Sequence, residues 1–211
     1  MIVVGVSGAS GPLLGIRLME ELLNLEEPVA AILSASAKSI ITHEMGAPMK
    51  APGALQDLIL KRGVAKRPDL FSVYEDTDFF SPAASGSSFF EAVVVVPCSM
   101  KTLSAVANGY ADRLIPRSCD VALKEKRRLI LVPRETPLNL IHLDNMKKAA
   151  LAGADILPPV MGFYTRPRTI DDMVDFLVGK ILNLLGKKHT LFKNWDVLSN
   201  EIKNGEEPYA P

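Results

Sequence analysis

The sequence predicts a three-layer α/β fold. Short apolar runs rich in β-branched residues alternate along the chain with segments of helical periodicity. The strand-like runs are apolar at every position, which is typical of strands covered on both faces by crossover helices. These two observations indicate a parallel sheet of the Rossmann-like or flavodoxin-like kind, with helices on both faces.

The individual elements follow from the same patterns, taken in chain order. Glycine, proline and short polar stretches separate them, and SPAASGSS at residues 81–88 is predicted to be a polar loop. The predicted strands are residues 2–6, 29–33, 70–74, 92–96, 127–132 and 155–157. The predicted helices are residues 13–25, 37–45, 54–60, one that begins near Met100, 138–152 and 170–185.

Composition narrows the class of protein. The 211 residues fit one domain with an appended tail, and 24 basic residues balance 24 acidic ones, so neither nucleic acid nor an anionic membrane is expected as a partner. Cys98 and Cys119 form no CxxC pair, so the sequence suggests neither a disulfide framework nor a zinc cage. No signal peptide or membrane span is evident. The sequence therefore predicts a soluble, cytoplasmic protein.

The predicted fold also predicts where a ligand binds. In open parallel sheets the ligand lies beyond the carboxyl ends of the strands. The residues that directly follow four of the predicted strands should therefore share one site. These segments are Gly8–Ser10, Ser34–Ser36, Pro97–Met100 and Pro133–Glu135.

The first of these segments, VSGASG, resembles a nucleotide-binding turn but departs from the dinucleotide pattern. Gly5, Gly8 and Gly11 are each three residues apart, so G-x-G-x-x-G is missing. Ser34 and Ser36 stand where an acidic residue would bind the ribose of NAD. The turn therefore predicts a phosphate or a mononucleotide rather than NAD. The alternative is that the glycines only allow close strand-to-helix packing.

Several charged residues admit both a functional and a structural interpretation. Arg134 and Glu135, bracketed by prolines after a buried strand, are either a catalytic pair or a solvated loop. Glu44 taken alone is a surface carboxylate, and Lys124 belongs to a basic cluster typical of a solvated helix end. The D-D-x-x-D run from Asp171 resembles a magnesium site, but Thr169 with Asp172 predicts a helix N-cap, so no metal site is expected.

Longer segments of the chain resemble one family. GASG, ASGSS, the stretch from PCSMKTLSAVANGYADRLIPRSC to VALKEKRRLILVPRETPL, and GFYTRP followed by IDDMVDFLVGKIL are similar to the UbiX family of flavin prenyltransferases. The resemblance covers residue 1 to about 186 and implies an FMN-binding prenyltransferase domain there. It implies transfer of a dimethylallyl group from dimethylallyl phosphate to N5 and C6 of reduced FMN, without a metal. Residues 187–211 lie outside the resemblance, and their polar composition predicts a helical or oligomer-contacting tail.

The resemblance also implies partners and site residues. The prenylated flavin would serve a UbiD-type decarboxylase, and the chain would form a homo-oligomer, a dodecamer by analogy. Glu135 and, less securely aligned, Glu44 would handle protons. Lys180 stands where some members have arginine. The implied FMN contacts are Gly8, Ala9, Ser10, Ser36, Cys98, Ser99, Met100, Lys101 and Arg117, and the implied contacts to the prenyl phosphate are Lys124, Arg134, Tyr164 and Lys180.

Proteins with this fold can have two other functions. One is FMN-dependent oxidative decarboxylation of a cysteine-containing substrate, which would need a histidine base beside the post-strand segments. The other is a non-catalytic FMN-binding subunit, which would not need a second phosphate site. Lys124, Arg134, Tyr164 and Lys180 favour the transferase, because together they could stabilise the charge of a departing phosphate.

Overall fold

The computed structural model describes residues 1–62, 67–193, 195 and 199. They belong to two compact units, one of residues 1–159 and one that begins at Val160. The prediction of a helical or oligomer-contacting tail falls on residues 187–211, most of which lie outside the described residues. A domain boundary at residue 186 stays a prediction.

The first unit contains a parallel sheet, which confirms the predicted fold class. Within the described residues the sheet has six strands, in the order β3-β2-β1-β4-β5-β6. The order reverses between β1 and β4, which therefore form the switch point where open α/β sheets bind ligands. The strands are β1 (Ile2–Val6), β2 (Val29–Leu33), β3 (Phe71–Glu75), β4 (Ala92–Cys98), β5 (Arg128–Pro133) and β6 (Ala154–Ile156).

The helices lie close to their predicted positions, with one difference. Where the sequence predicted one helix from Met100, the chain forms two, because Gly109 has a φ of 67° and ends the first one. The described helices are α1 (Pro12–Asn24), α2 (Ala35–Met45), α3 (Ala54–Lys61), α4 (Met100–Ala107), α5 (Leu114–Lys124), α6 (Leu140–Leu151) and α7 (Ile170–Leu184). None of them is both long and apolar enough to span a membrane.

The core of the first unit covers the sheet on both faces. Alternate strand residues such as Val3, Val95 and Leu131 pack with buried residues of α4, α5 and α6. On the other face α1 lies so close to the sheet that a Cβ at Gly15 would come within 2.5 Å of the Val96 carbonyl oxygen. This close approach fixes the start of α1 against the carboxyl ends of β1 and β4.

The connection from β3 to β4 runs along α5 instead of forming a crossover helix. The Arg117 guanidinium donates to the Ala84 carbonyl at 3.1 Å. Beyond the end of α5, Arg127 donates to the carbonyls of Gly86 and Ser88, each at 2.8 Å. The loop predicted at residues 81–88 is therefore fastened to α5 and to the residues that follow it.

Asp76 fastens the same connection to the first turn of α5. Its carboxylate accepts from the Ile115 N–H at 3.0 Å, and its carbonyl accepts from the Leu114 N–H at 2.8 Å. Burial raises the pKa of the Asp76 carboxyl, and the hydrogen bond from Ile115 opposes the increase. Asp76 therefore caps α5, which carries Arg117 and Lys124, at the cost of a partly desolvated charge.

Two substitutions at Asp76 distinguish the effect of its acceptor oxygen, which caps α5, from the effect of its negative charge. Asp76→Ala is expected to lower the free energy of unfolding by about 1 kcal/mol, because the first turn of α5 loses an acceptor. Asp76→Asn keeps an acceptor oxygen and should lose less than half of that. The measurement is urea unfolding of the three proteins.

The pH dependence of the same comparison has a definite sign. Because the pKa of Asp76 is raised in the folded protein, its contribution to stability grows as the pH falls through that pKa. The wild type should therefore gain stability relative to Asp76→Asn between about pH 7 and about pH 4. If the wild type instead becomes less stable relative to Asp76→Asn as the pH falls over this range, the pKa of Asp76 is not raised in the folded protein.

Candidate active site

The candidate site lies at the carboxyl edge of the sheet, around the switch point between β1 and β4. Three helices, α1, α2 and α4, begin at this edge directly after β1, β2 and β4. Three of the four post-strand segments singled out from the sequence lead into these helices, and the fourth follows β5. The sheet topology therefore brings all four segments to one edge, as the sequence predicts.

The turn after β1 touches the start of α2. A Cβ at Gly8 would lie 2.6 Å from the Ser36 Cβ, so only glycine allows this approach. The hydroxyl of Ser34 accepts from the Ala37 N–H at 3.1 Å and caps α2. Gly8 and Ser36, predicted to contact one ligand, are thus in direct proximity.

The peptide between Ser10 and Gly11 is held by two charged side chains. Its N–H donates to Glu44 Oε2 at 2.9 Å, and its carbonyl accepts from Arg134 Nε at 3.3 Å. Glu44 is therefore at the edge of the site rather than on a remote surface. Because its carboxylate occupies the Gly11 N–H, a phosphate predicted for the glycine turn does not use this donor.

The segment after β4, which denotes Pro97–Lys101 and so includes the last two residues of the observed strand, presents its backbone and its serine. Cys98 is fully buried, and burial raises the pKa of its thiol to about 12. The thiol is therefore protonated at neutral pH, and a ligand contact at Cys98 would involve the main chain. Ser99 caps α4 by accepting from the Thr102 N–H at 3.3 Å, and Met100 and Lys101 form the first turn of that helix.

Arg134 and Glu135 follow β5 and reach the same edge. The main-chain N–H of Arg134 donates to the Cys98 carbonyl at 3.0 Å, and this bond connects the loop to the segment after β4. Glu135 Oε1 accepts from the Thr136 N–H at 3.1 Å and lies 4.0 Å from Arg134 Nη1. Both side chains remain about two-fifths exposed, so each can contact a ligand while backbone hydrogen bonds keep the loop in place.

Arg117 and Lys124 occupy different positions from Arg134. Arg117 forms an ion pair with Asp120 at 2.6 Å in addition to its bond to the connection from β3. Lys124 ends α5, and β5 begins four residues later, so the Lys124 backbone lies at the amino edge of the sheet. Its ammonium pairs with Glu125. Within one chain, Lys124 and Arg134 therefore lie at opposite ends of the strands. That both contact the prenyl phosphate stays a prediction.

Tyr164 and Lys180 belong to the second unit, so their part in the site also stays a prediction. The Tyr164 ring packs edge-on against the rings of Phe176 and Trp195, with distances between ring centroids of 5.7 Å and 5.6 Å. At the start of α7, Thr169 and Asp172 form the predicted capping box, since each side chain accepts from the other residue's N–H. The Asp-rich run therefore has a structural role at its second aspartate.

The donor set at the carboxyl edge fits an anionic mononucleotide. Serine hydroxyls come from three turns, and the starts of α2 and α4 present N–H groups and the positive ends of helix dipoles. Arg134 adds a positive charge next to this set. In the part of the chain that the structure describes, no group of three or more His, Cys, Asp or Glu side chains is arranged to hold a metal.

The sequence patterns assign no role to one residue of this edge. Ser7 directly follows β1, is almost completely buried, and bonds to the segment after β4. Ser7 lies within VSGASG, but the pattern of that turn is defined by its glycines and contains no signal that singles out this serine. Its burial next to β4 appears only in the structure.

Sequence comparison identifies similar proteins. A sequence model of the flavoprotein family matches residues 1–182. The flavin prenyltransferase UbiX of Methanocaldococcus jannaschii is 48% identical over 194 residues, which cover 92% of this chain and 97% of that protein. The similarity therefore extends over nearly the full length of both chains.

Solved structures give the same result. The structure of AnUbiX (PadA1) in complex with FMN and dimethylallyl pyrophosphate has a TM-score of 0.80 at 40% identity and covers 92% of this chain and 96% of its own. A dodecameric FMN-dependent UbiX-like decarboxylase from Escherichia coli O157:H7 also has a TM-score of 0.80, at 34% identity, with coverage of 92% and 98%.

Proposed function

Because this chain belongs to the flavin prenyltransferases of the UbiX family, we propose that it joins a dimethylallyl group from dimethylallyl phosphate to reduced FMN. The C–O bond of the prenyl phosphate breaks, and bonds form to N5 and C6 of the flavin. Inorganic phosphate leaves, and the flavin gains one C5H8 unit. The flavin is therefore a substrate of the reaction.

The observation that carries this proposal is the convergence at the carboxyl edge. Arg134 is hydrogen-bonded both to the Ser10 carbonyl and to the Cys98 carbonyl, and Glu135 is the next residue in the chain. FMN would be held by the turns that contain Gly8–Ser10, Ser36, and Cys98–Lys101. Reduced FMN supplies the two positions that accept the prenyl group. A cation and a carboxylate then lie next to the pocket, where phosphate departure and proton transfer need them.

Arg134 stabilises the departing phosphate. Its side chain is about two-fifths exposed, and its guanidinium donates one hydrogen bond to the chain, through Nε, while Nη1 lies 4.0 Å from Glu135. The terminal nitrogens can therefore donate to two phosphate oxygens. Tyr164 and Lys180 are further contacts for this phosphate. Because a lysine is a point charge, Lys180 holds the phosphate less directionally than an arginine would.

Lys124 takes part from a second copy of the chain. Since it lies at the opposite edge of the sheet from Arg134, it joins the phosphate site only across an interface between copies. The dodecameric UbiX-like protein from E. coli supports an assembly of this kind. The active form is therefore a homo-oligomer, with a dodecamer as the expected state.

Glu135 handles protons during ring closure. Closing the ring requires a proton on the prenyl double bond and loss of the proton at C6, which leaves the mass of the adduct unchanged. The carboxylate of Glu135 is oriented by the Thr136 N–H and stays accessible. A carboxyl group in that position can give and take these protons. The finished product would then serve a UbiD-type decarboxylase.

The test is a mass measurement on the flavin. The protein is incubated without oxygen with reduced FMN and either dimethylallyl phosphate or the diphosphate, and the extracted flavin is weighed by mass spectrometry. The expected result is a gain of one C5H8 unit with the monophosphate. An unchanged flavin mass with both donors would refute the proposed function.

A further inference from the structure

Ser7 is a buried polar residue at the switch point of the sheet. Its relative exposure is 1%, and it directly follows β1 at the point where the strand order reverses. Its hydroxyl donates to the Pro97 carbonyl at 2.9 Å and accepts from the Ser99 N–H at 2.7 Å. One hydroxyl therefore satisfies two main-chain groups on either side of Cys98.

These bonds continue the strand pairing beyond the regular ladder. The register between β1 and β4 ends at Gly5 and Val95. Pro97 has no N–H to donate, so the ladder cannot continue in the usual way. The Ser7 N–H bonds to the Pro97 carbonyl at 3.2 Å, and the Ser7 side chain supplies the remaining two bonds.

The segment after β4 is thereby fixed from both neighbouring strands. On the β1 side it is held by Ser7, and on the β5 side the Cys98 carbonyl accepts from the Arg134 N–H. Ser99 in turn caps α4, so the first turn of that helix depends on the same anchor. A change at Ser7 would therefore shift the main chain from Pro97 to Lys101 without touching a ligand.

We propose that Ser7 is a positioning residue for FMN, which acts by holding the Pro97–Ser99 segment against the flavin site. The inference rests on the proposed function, since that segment is assigned to FMN there. Ser7 itself is buried beneath the segment and is not a ligand contact. Its hydroxyl is required because it must donate and accept at once.

The test compares three variants by FMN binding. Ser7→Ala should weaken FMN affinity about tenfold or more and change the visible absorption spectrum of the bound flavin, because a buried N–H loses its acceptor. Ser7→Thr keeps the hydroxyl. Its FMN affinity should be within about threefold of the wild-type value, and the spectrum of its bound flavin should match that of the wild type. Affinity is measured by titration of FMN fluorescence.

Ser118→Ala is the matched control for stability. Ser118 is equally buried, and its hydroxyl donates to the Ile115 carbonyl at 2.8 Å within α5. Its loss should lower the melting temperature but leave FMN affinity and spectrum unchanged. If Ser7→Ala does not fold, Ser7→Cys takes its place, because a thiol keeps the volume and bonds only weakly.

The outcomes separate this inference from the proposed function. Wild-type FMN affinity and spectrum in Ser7→Ala, or in Ser7→Cys, would overturn the role of Ser7. An equal loss of affinity in Ser118→Ala would overturn it as well, since the effect would then be general destabilisation. A wild type that binds FMN but transfers no prenyl group would refute the proposed function and leave the Ser7 result intact.

Discussion

Arg134→Ala is expected to lower kcat/KM for dimethylallyl phosphate by about 100- to 1000-fold, the usual effect of removing one preorganised contact to a developing charge. The substitution removes the cation that would meet the phosphate and the bond to the Ser10 carbonyl. It leaves the backbone bond from residue 134 to Cys98 in place. The measurement is steady-state formation of the flavin adduct, followed by mass spectrometry.

Two comparisons isolate the cause of this loss. Arg134→Lys should recover part of the rate, since it keeps the charge and loses the planar pair of donors. Arg67→Ala removes a half-exposed arginine that pairs with Asp69 at 2.8 Å on the surface, and it should change kcat/KM less than about twofold. Activity of Arg134→Ala within threefold of the wild type would remove Arg134 from the mechanism.

Glu135→Gln is expected to slow ring closure by about 100-fold or more, the usual contribution of a positioned acid–base group. The amide oxygen can still accept from the Thr136 N–H, so the geometry is retained while the proton-carrying group is lost. The N5 adduct should therefore accumulate, with the same mass as the product. Nuclear magnetic resonance of the extracted flavin distinguishes the open adduct from the closed ring.

The control for this variant is Glu21→Gln. Glu21 lies in α1, away from the Ser10–Gly11 turn, and pairs with Arg17 at 2.5 Å. Its loss should leave the rate of ring closure unchanged. If Glu135→Gln forms the closed ring at the wild-type rate, the proton must come from another group, such as the released phosphate.

The fold could be predicted because its signals are local. Short, fully apolar runs rich in valine and isoleucine, such as residues 2–6 and 92–96, are typical of strands buried on both faces, and their alternation with helices indicates a parallel topology. The break between α4 and α5 was missed, because Gly109 can either sit inside a helix or end one. Its positive φ is a property of the folded chain.

The site could be predicted as a set of segments, but its contacts could not. The rule for strand ends brought Gly8, Ser36 and Arg134 to one edge, and the structure places them there. That Glu44 and Arg134 hold the same peptide, and that Ser7 bridges two strands, depends on separations of 33, 124 and 90 residues. Local sequence patterns carry no information about such distant pairs.

The most direct test of the proposed reaction is the structure of its product. The protein is supplied with reduced FMN and dimethylallyl phosphate labelled with ¹³C throughout the prenyl group, and the extracted flavin is analysed by nuclear magnetic resonance. One labelled carbon should be bonded to N5 and another to C6, in a closed fourth ring. A prenyl group attached at any other flavin position, or an unlabelled flavin, would contradict it.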